Sequence, residues 1–262
     1  MRVSCIQLDM DFCDVEKNYL RAEELIYNTV KNEKTDVVLL PETWSTGYYP
    51  KNDLMSFCEP AGGRIKKTFS LIAKDLGVNI VAGSIANNKN GMAYNTSYVF
   101  DRVGDVVAEY DKIHLFTPMN EDNFFGHGEK TAVFELDGHK CAVIICYDIR
   151  FPELARKLAL EGAEMLFVVS QWPSQRIEHL KILSSARAIE NQMFVAVCNS
   201  CGKAGETTFG GNSRIVDPWG NVLAFAGEKE EIITADCDFS TINQIRSSIN
   251  IFNDRKPELY ST

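Results

Sequence analysis

The chain has 262 residues, which is enough for one large α/β domain or for two small ones. Its net charge is −9, from 27 Lys and Arg against 36 Asp and Glu, and its longest basic run covers only residues 64–67. An acidic chain without a basic cluster binds nucleic acid and anionic membranes poorly, so we expect neither as a partner.

The first stretch, MRVSCIQLDMDF, alternates like a β-strand and lacks the apolar centre of a signal peptide. No apolar run is long enough to cross a bilayer, so we predict no transmembrane helix. We expect a cytoplasmic protein whose eight cysteines are thiols. Cys198 and Cys201 have CxxC spacing, but no second pair or suitably spaced histidine accompanies them, which argues against a metal or redox role.

Apolar periodicity predicts alternating strands and helices along the chain. The predicted strands are residues 3–8, 36–40, 79–84, 94–100, 106–112, 132–136, 140–146, 165–170, 194–199, 213–216, 222–225 and 232–236. The predicted helices are residues 15–32, 64–76, 152–161, 177–192 and 239–247. No linker divides the chain, so we expect one domain over residues 1–262, an α/β sandwich of two mixed sheets with helices outside.

Three reactive side chains follow predicted strands. DVVLLPETW places Glu42 after one apolar run, VVAEYDKIHLF places Lys112 at the end of another, and CAVIICYDIRFPE places Cys146 at the end of a third. Functional residues of such sheets gather beyond the carboxyl ends of strands. Taken singly, each has a simpler explanation: a loop acid, a solvent-facing lysine and a small buried thiol.

Four ordered motifs, LLPETW, YDKIHLF, ICYDIRFPE and ARAIENQ, resemble the signatures of the nitrilase superfamily of carbon–nitrogen hydrolases. The resemblance covers nearly the whole chain. It implies a four-layer αββα sandwich and a catalytic set of Glu42, Lys112 and Cys146. A second family glutamate falls on Glu121 in TPMNEDNFF, where the alternative is a surface loop acid.

This set implies amide hydrolysis through a cysteine thioester. Glu42 would take the proton of Cys146 as the thiol attacks the carbonyl, and Lys112 with the backbone N–H of Tyr147 would stabilise the oxyanion. Ammonia would then leave, and water would attack the thioester. Glu121 would orient Lys112 or the substrate. No metal or cofactor is expected, since the four histidines form no zinc-binding pattern.

The stretches SQWPSQRIEH, FGGNSRIVDPWG and IRSSINIFNDRKPELY resemble the ω-amidase branch, whose substrates are 2-oxo acid amides such as 2-oxoglutaramate or 2-oxosuccinamate. A carboxylate-bearing amide requires a cation, for which Arg176 is the candidate. Trp172, Phe116 and Tyr48 are candidate pocket walls, although core packing explains them equally well. Asn212 stands where many relatives carry histidine, which weakens the branch assignment.

Other functions stay open on the sequence alone. An amidase for deaminated glutathione or an N-carbamoyl amidohydrolase would carry the same motifs. A thiol redox sensor using Cys198 and Cys201, or a non-catalytic scaffold, belongs to another class. The resemblance also implies a homodimer, with the tail at residues 240–262 packing on the partner subunit. Arg187 and Glu190 are spaced for a structural ion pair within one helix.

Overall fold

The computed structural model describes residues 1–260, apart from the side chain of Asn52. The strands are β1 (Arg2–Gln7), β2 (Val37–Leu39), β3 (Glu59–Pro60), β4 (Asn79–Lys89), β5 (Met92–Phe100), β6 (Val106–Asp111), β7 (Val133–Leu136), β8 (His139–Ile145), β9 (Met165–Ser170), β10 (Phe194–Asn199), β11 (Lys203–Ala204), β12 (Thr207–Thr208), β13 (Arg214–Val216), β14 (Val222–Phe225) and β15 (Glu231–Asp236). The helices are α1 (Val15–Glu33), α2 (Leu54–Phe57), α3 (Gly63–Leu76), α4 (Pro152–Leu160), α5 (Ile177–Asn191), α6 (Ser240–Ser248) and α7 (Ile251–Asp254).

Two mixed sheets form the centre of the molecule. The first has the strand order β15-β1-β2-β4-β5-β6, with β3 paired to β4, and the second has the order β14-β13-β10-β9-β8-β7. Strands β1, β2 and β4 run parallel, as do β8, β9 and β10. The strands next to these centres, β15, β5, β13 and β7, are antiparallel to them, whereas the edge strands β6 and β14 again run in the direction of the centre. The parallel centres explain the continuous apolar runs, because such strands are buried on both faces.

The four layers follow from which side each residue faces. In β2 and the residue after it, Val37 and Leu39 belong to the core between the two sheets, whereas Val38 and Leu40 pack with α1 and α3. On the far side, α4 and α5 cover the second sheet through residues such as Leu158. The order is therefore helices, sheet, sheet, helices, which is the predicted αββα sandwich.

Local signals define the helix ends. Asp14 caps α1 by accepting a hydrogen bond from the N–H of Lys17 at 3.1 Å. Gly77 ends α3 in the left-handed conformation, and Pro152 occupies the first turn of α4. These residues explain why the predicted helix bounds lie within two residues of the observed ones.

Two strand ends differ from the prediction in a way that matters for the site. β6 ends at Asp111 and β8 ends at Ile145, so Lys112 and Cys146 lie just beyond their strands instead of closing them. The short elements β3, β11, β12, α2 and α7 were not predicted. They contain only two to four residues each, too few to show a period.

Part of the predicted tail packs on its own chain. In α6, Ile242 and Ile245 are buried, and Phe252 of α7 lies between the guanidinium groups of Arg156 and Arg246, at 5.4 and 5.0 Å from its ring centre. Residues 261 and 262, the end of the predicted 240–262 tail, lie outside the described residues. None of the described helices is long and apolar enough to cross a membrane.

Candidate active site

One cavity lies beyond the carboxyl ends of β2, β6 and β8. Glu42 follows β2, Lys112 follows β6 and Cys146 follows β8, while Glu121 lies in the 3₁₀ turn Glu121–Asn123. All four side chains line this cavity. The structure therefore brings together the four residues that the sequence nominated for catalysis.

A buried ammonium joins two buried carboxylates. Lys112 Nζ lies 2.8 Å from Glu42 Oε1 and 2.8 Å from Glu121 Oε2, and the three side chains are at most 6% exposed. Glu121 also accepts a hydrogen bond from the N–H of Phe116 at 2.6 Å. Glu121 is thus a buried partner of Lys112, and its alternative as a surface loop acid is wrong.

The charge state of Lys112 follows from these partners. Burial by itself would lower the pKa of Lys112, but the charges of Glu121 and then Glu42 raise it well above its usual value. The side chain therefore remains an ammonium at neutral pH. Its contribution to stability is lost only as the pH rises through that raised pKa.

Two residues that were not predicted complete this cluster. Asn95 Nδ2 donates to Glu42 Oε1 at 2.9 Å and to Glu121 Oε1 at 3.4 Å, and the N–H of Gln171 donates to Glu42 Oε2 at 2.9 Å. Both line the cavity. Asn95 lies within a strand and Gln171 directly after one, so nothing in their local sequence distinguishes them from structural residues.

Cys146 lies at a sharp change of backbone direction. Its φ is +46°, in the left-handed region that non-glycine residues rarely adopt, between the extended Ile145 and the rest of the 3₁₀ turn Cys146–Arg150. Pro152 then begins α4. This is the short strand-to-helix connection that the sequence predicted, and it presents Cys146 to the cavity.

The resting protonation state of Cys146 follows from its surroundings. Burial raises the pKa of the thiol well above its usual value, the charge of Glu42 raises it further, and the charge of Lys112 lowers it. The net direction is upward, so the group is a thiol at neutral pH. Any nucleophilic use of this sulfur requires a base at the moment of attack, and Glu42 is the adjacent carboxylate.

Aromatic side chains form much of the remaining wall. The predicted wall residues Tyr48, Phe116 and Trp172 all line the cavity. They are joined by Tyr49, Tyr147 and Phe209. Tyr48 packs against Tyr49 and Phe209, with ring centres 4.5 and 5.9 Å apart. The cavity is therefore largely apolar apart from its charged groups.

Two arginines supply positive charge to the same cavity. Arg176, which the sequence nominated, lies with its guanidinium 5.2 Å from the ring centre of Phe116. Arg150, which sequence reasoning missed although it stands within the ICYDIRFPE motif, lies 4.7 Å from the ring centre of Trp172. The two carboxylates of the cavity pair with Lys112, and neither arginine forms an ion pair within the described residues.

A family model described as carbon–nitrogen hydrolase matches residues 2–247, nearly the whole chain. The chain belongs to the carbon–nitrogen hydrolase family. It is 43% identical over 258 residues to the 2-oxoglutaramate amidase of Bacillus subtilis (strain 168), with 98% of each protein covered. It is 34% identical over 259 residues to the omega-amidase NIT2 of Xenopus tropicalis, with 94% of this chain and 91% of the relative covered.

A solved structure agrees with this assignment. The crystal structure of Saccharomyces cerevisiae Nit3, a member of branch 10 of the nitrilase superfamily, matches with a TM-score of 0.89 at 30% identity, over 95% of this chain and 94% of that chain. The resemblance stated from the motifs and the αββα fold are both confirmed. As a carbon–nitrogen hydrolase with amidases among its relatives, the chain is an enzyme.

Other residues noted in the sequence lie away from the cavity of this carbon–nitrogen hydrolase. Cys198 and Cys201 are buried free thiols. Arg187 forms the expected pair with Glu190 at 2.6 Å, and its Nε also donates to the carbonyl of Ile149 at 2.9 Å, which ties α5 to the Cys146 turn. These contacts agree with the structural role predicted for the pair.

Replacement of Lys112 tests the buried ion cluster of the carbon–nitrogen hydrolase. Lys112→Met leaves two buried carboxylates without their cation, and we expect the free energy of unfolding to fall by about 3–5 kcal/mol near neutral pH. Urea unfolding followed by circular dichroism measures the loss.

Lys89→Met is the matched control. Lys89 pairs with Asp111 and Glu109 at 2.7 and 2.6 Å but lies near the surface. We expect its loss to cost about 1 kcal/mol or less. Equal costs for the two variants would contradict the cluster as described.

Proposed function

We propose that this carbon–nitrogen hydrolase is a thiol-dependent ω-amidase that releases ammonia from a small carboxylate-bearing amide, 2-oxoglutaramate or 2-oxosuccinamate. The observation that carries the proposal is the division of charge in one cavity. Cys146 lies beside Glu42 and Lys112. The same cavity holds Arg150, whose Nη2 contacts His179 Nδ1 at 3.0 Å, and Arg176, and neither arginine forms an ion pair within the described residues. The name of the Bacillus subtilis relative supports this substrate class.

The two arginines suit a substrate carboxylate. Burial lowers the pKa of Arg150, and the charge of Arg176 adds to that effect. An arginine stays charged even then, so the two guanidinium groups repel each other. An anion that binds both of them relieves this repulsion. Paired N–H donors match a carboxylate in charge and in geometry. The amide end of the substrate would then lie toward Cys146.

In the proposed mechanism, the Cys146 thiol attacks the amide carbonyl while Glu42 takes its proton. Lys112 Nζ and the backbone N–H of Tyr147 stabilise the oxyanion that forms. Protonated Glu42 then gives its proton to the departing nitrogen, which leaves as ammonia and a thioester remains. Glu42 next removes a proton from water as the water attacks the thioester, and the thiol regains a proton when the acid is released.

Glu121 acts through Lys112 in this proposal. It binds the ammonium at 2.8 and 3.0 Å and so fixes the direction of the Nζ–H groups. Each carboxylate accepts hydrogen bonds from Lys112 and Asn95, and the proposed cycle uses neither a metal nor an organic cofactor. Substrate amide and water are the only reactants required.

An ammonia-release screen tests the proposed activity. Wild-type protein should release ammonia from 2-oxoglutaramate or 2-oxosuccinamate in preference to deaminated glutathione and N-carbamoyl amines. Cys146→Ala should reduce the rate to background, because it removes the nucleophile. Preference for deaminated glutathione or an N-carbamoyl amine would replace the ω-amidase by that alternative of the same family.

Cys198→Ala is the matched control in that screen, since Cys198 is a buried thiol outside the cavity. It should retain the wild-type rate within a few-fold. Activity or binding that changes with oxidant and depends on Cys198 or Cys201 would favour the thiol-sensor alternative. A protein inactive on every amide, with wild-type and Cys146→Ala indistinguishable, would favour a scaffold.

Arginine variants test the carboxylate site. Arg150→Met and Arg176→Met should each raise KM for 2-oxoglutaramate by roughly 10–100-fold, the value of a hydrogen bond between charged groups. The KM for an uncharged amide such as butyramide should change much less, because no carboxylate is bound. Steady-state kinetics with both substrates measures the contrast. Equal losses on the two substrates would show that the arginines only shape the pocket.

We also propose that the chain forms a homodimer. Both α5 and the β13–β14 hairpin, whose turn at Gly220 lies against Ile189, expose large apolar side chains, which we name the apolar patch. The patch consists of Ile182, Ile189, Trp219, Val222, Leu223 and Phe225. Apolar patches of this kind mark association surfaces. Residues such as Leu259, which is 78% exposed, leave the end of the tail free to contact a partner as well.

Light scattering tests the dimer. Ile189→Asp combined with Phe225→Asp places charges in the patch and should convert the dimer to a monomer. Leu71→Asp is the control, because Leu71 is also exposed but lies on α3, across the sandwich. A wild-type protein that is already monomeric overturns the proposal.

We also propose a cytoplasmic location, since all eight cysteines are free thiols.

A further inference from the structure

A second buried carboxylate supports the Cys146 turn without entering the cavity. Asp148 has no exposed surface and does not line the cavity. Its Oδ1 accepts hydrogen bonds from the backbone N–H and from Nδ1 of His114, at 2.9 and 2.8 Å. Its Oδ2 accepts hydrogen bonds from the N–H of Ile145 at 3.0 Å and from Tyr110 Oη at 2.7 Å.

These four donors come from the two segments that carry the proposed chemistry. Ile145 immediately precedes Cys146 in β8 and its turn. Tyr110 and His114 stand two residues before and two residues after Lys112. One carboxylate therefore connects the segment of the thiol to the segment of the ammonium, and each of its oxygens takes one backbone N–H and one side chain.

The Cys146 turn needs such support. A non-glycine residue at a φ of +46° is held in an unfavourable conformation, which persists only when the surrounding contacts determine it. The contacts continue past Asp148, because the His114 ring stacks on Phe151 at 3.6 Å between ring centres and 9° between planes. The N–H of Phe151 also donates to the carbonyl of Asp148 at 3.1 Å.

We propose that Asp148 is a positioning residue that fixes the Cys146 turn relative to Lys112. The inference rests on the proposed function, since it assumes that Cys146 attacks and Lys112 stabilises the oxyanion. It assigns to Asp148 no contact with substrate. Its effect is on the geometry of reaction, so it should act on kcat more than on KM.

Asp148→Asn removes this function with almost no change in shape. An amide has one acceptor oxygen, so its NH₂ must face either Ile145 N–H or the backbone N–H of His114. Tyr110 Oη and His114 Nδ1 can become acceptors by turning the hydroxyl or changing the tautomer, but a backbone N–H cannot. Either orientation breaks one of the two backbone bonds that join the segments.

The expected result is a fall in kcat of roughly 100-fold, the effect of misplacing reacting groups by about 1 Å. The KM for the amide should stay within about threefold, because the cavity wall is unchanged. The folded fraction of each variant is measured by circular dichroism, so that kcat per site refers to folded protein. The initial rate of Cys146 alkylation should fall as well.

Asp36→Asn is the matched control. Asp36 also accepts a backbone N–H, from Arg2 at 2.7 Å, and a guanidinium, from Arg102 at 2.7 Å, but lies away from the cavity. It should lower the melting temperature and leave kcat per site unchanged. If Asp148→Asn behaves in the same way, with lower stability and wild-type kcat per site, Asp148 is structural and the proposal is overturned.

A second variant covers the case in which Asp148→Asn does not fold. Tyr110→Phe combined with His114→Phe keeps the aspartate, both backbone bonds and an aromatic ring against Phe151, but removes both side-chain donors. We call the four hydrogen bonds that Asp148 accepts the clamp. The double variant should lower kcat per site by roughly tenfold, since two of these four hydrogen bonds remain. Unchanged kcat per site would count against the clamp.

The alkylation rate separates the two proposals. Wild-type protein that releases no ammonia from any amide refutes the proposed function, and the slower alkylation of Cys146 in the Asp148 variant still tests the clamp. Wild-type activity with unchanged kcat and alkylation rate in both variants refutes the clamp alone.

Discussion

The site depends on one buried ammonium held between two buried carboxylates. Charges removed from water are tolerated only when they are paired and hydrogen-bonded, and Lys112 satisfies this requirement for Glu42 and Glu121 at 2.8 Å each. Glu42 follows a strand at the centre of the first sheet, whereas Lys112 and Glu121 follow its edge strand. The pairing therefore fixes the relative positions of loops that are far apart in the chain.

This arrangement explains how a thiol with a raised pKa can be the proposed nucleophile. A free thiolate beside Glu42 would add a third negative charge to a cavity shielded from water, so the proton stays on sulfur in the resting enzyme. Proton transfer to Glu42 during attack keeps the number of charges constant. In the proposed mechanism, the ammonium then faces the oxyanion as it forms and stabilises it.

The same charge pattern bears on product release under the proposed function. The substrate presents a neutral amide to the end of the cavity that contains Glu42 and Glu121, and its carboxylate to Arg150 and Arg176. The product carries a second carboxylate where the amide was. Two fixed carboxylates repel that group, so the cavity distinguishes the amide from the acid by charge, although the two have nearly the same shape.

Much of the architecture was predictable from the sequence because it follows from local periodicity. Continuous apolar runs are typical of strands buried on both faces, and the bounds of the long helices follow from residues such as Asp14, Gly77 and Pro152. Three of the four motifs located Glu42, Lys112 and Cys146 in sequence, and the family resemblance located Glu121 in TPMNEDNFF. None of these signals carries a distance between side chains, and the very short elements were missed for lack of a period.

Only the tertiary structure decided which neighbours these residues have. Asn95 binds Glu42 from 53 positions away, and Asp148 joins segments that are 38 positions apart at Tyr110. The left-handed φ of Cys146 is equally invisible in sequence, because glycine and asparagine favour that conformation and cysteine does not. The sequence by itself determined the elements and the chemical types of residue at the strand ends. The pairing of charges, the strained turn and the two unpaired arginines arise from contacts between distant segments, which local pattern does not encode.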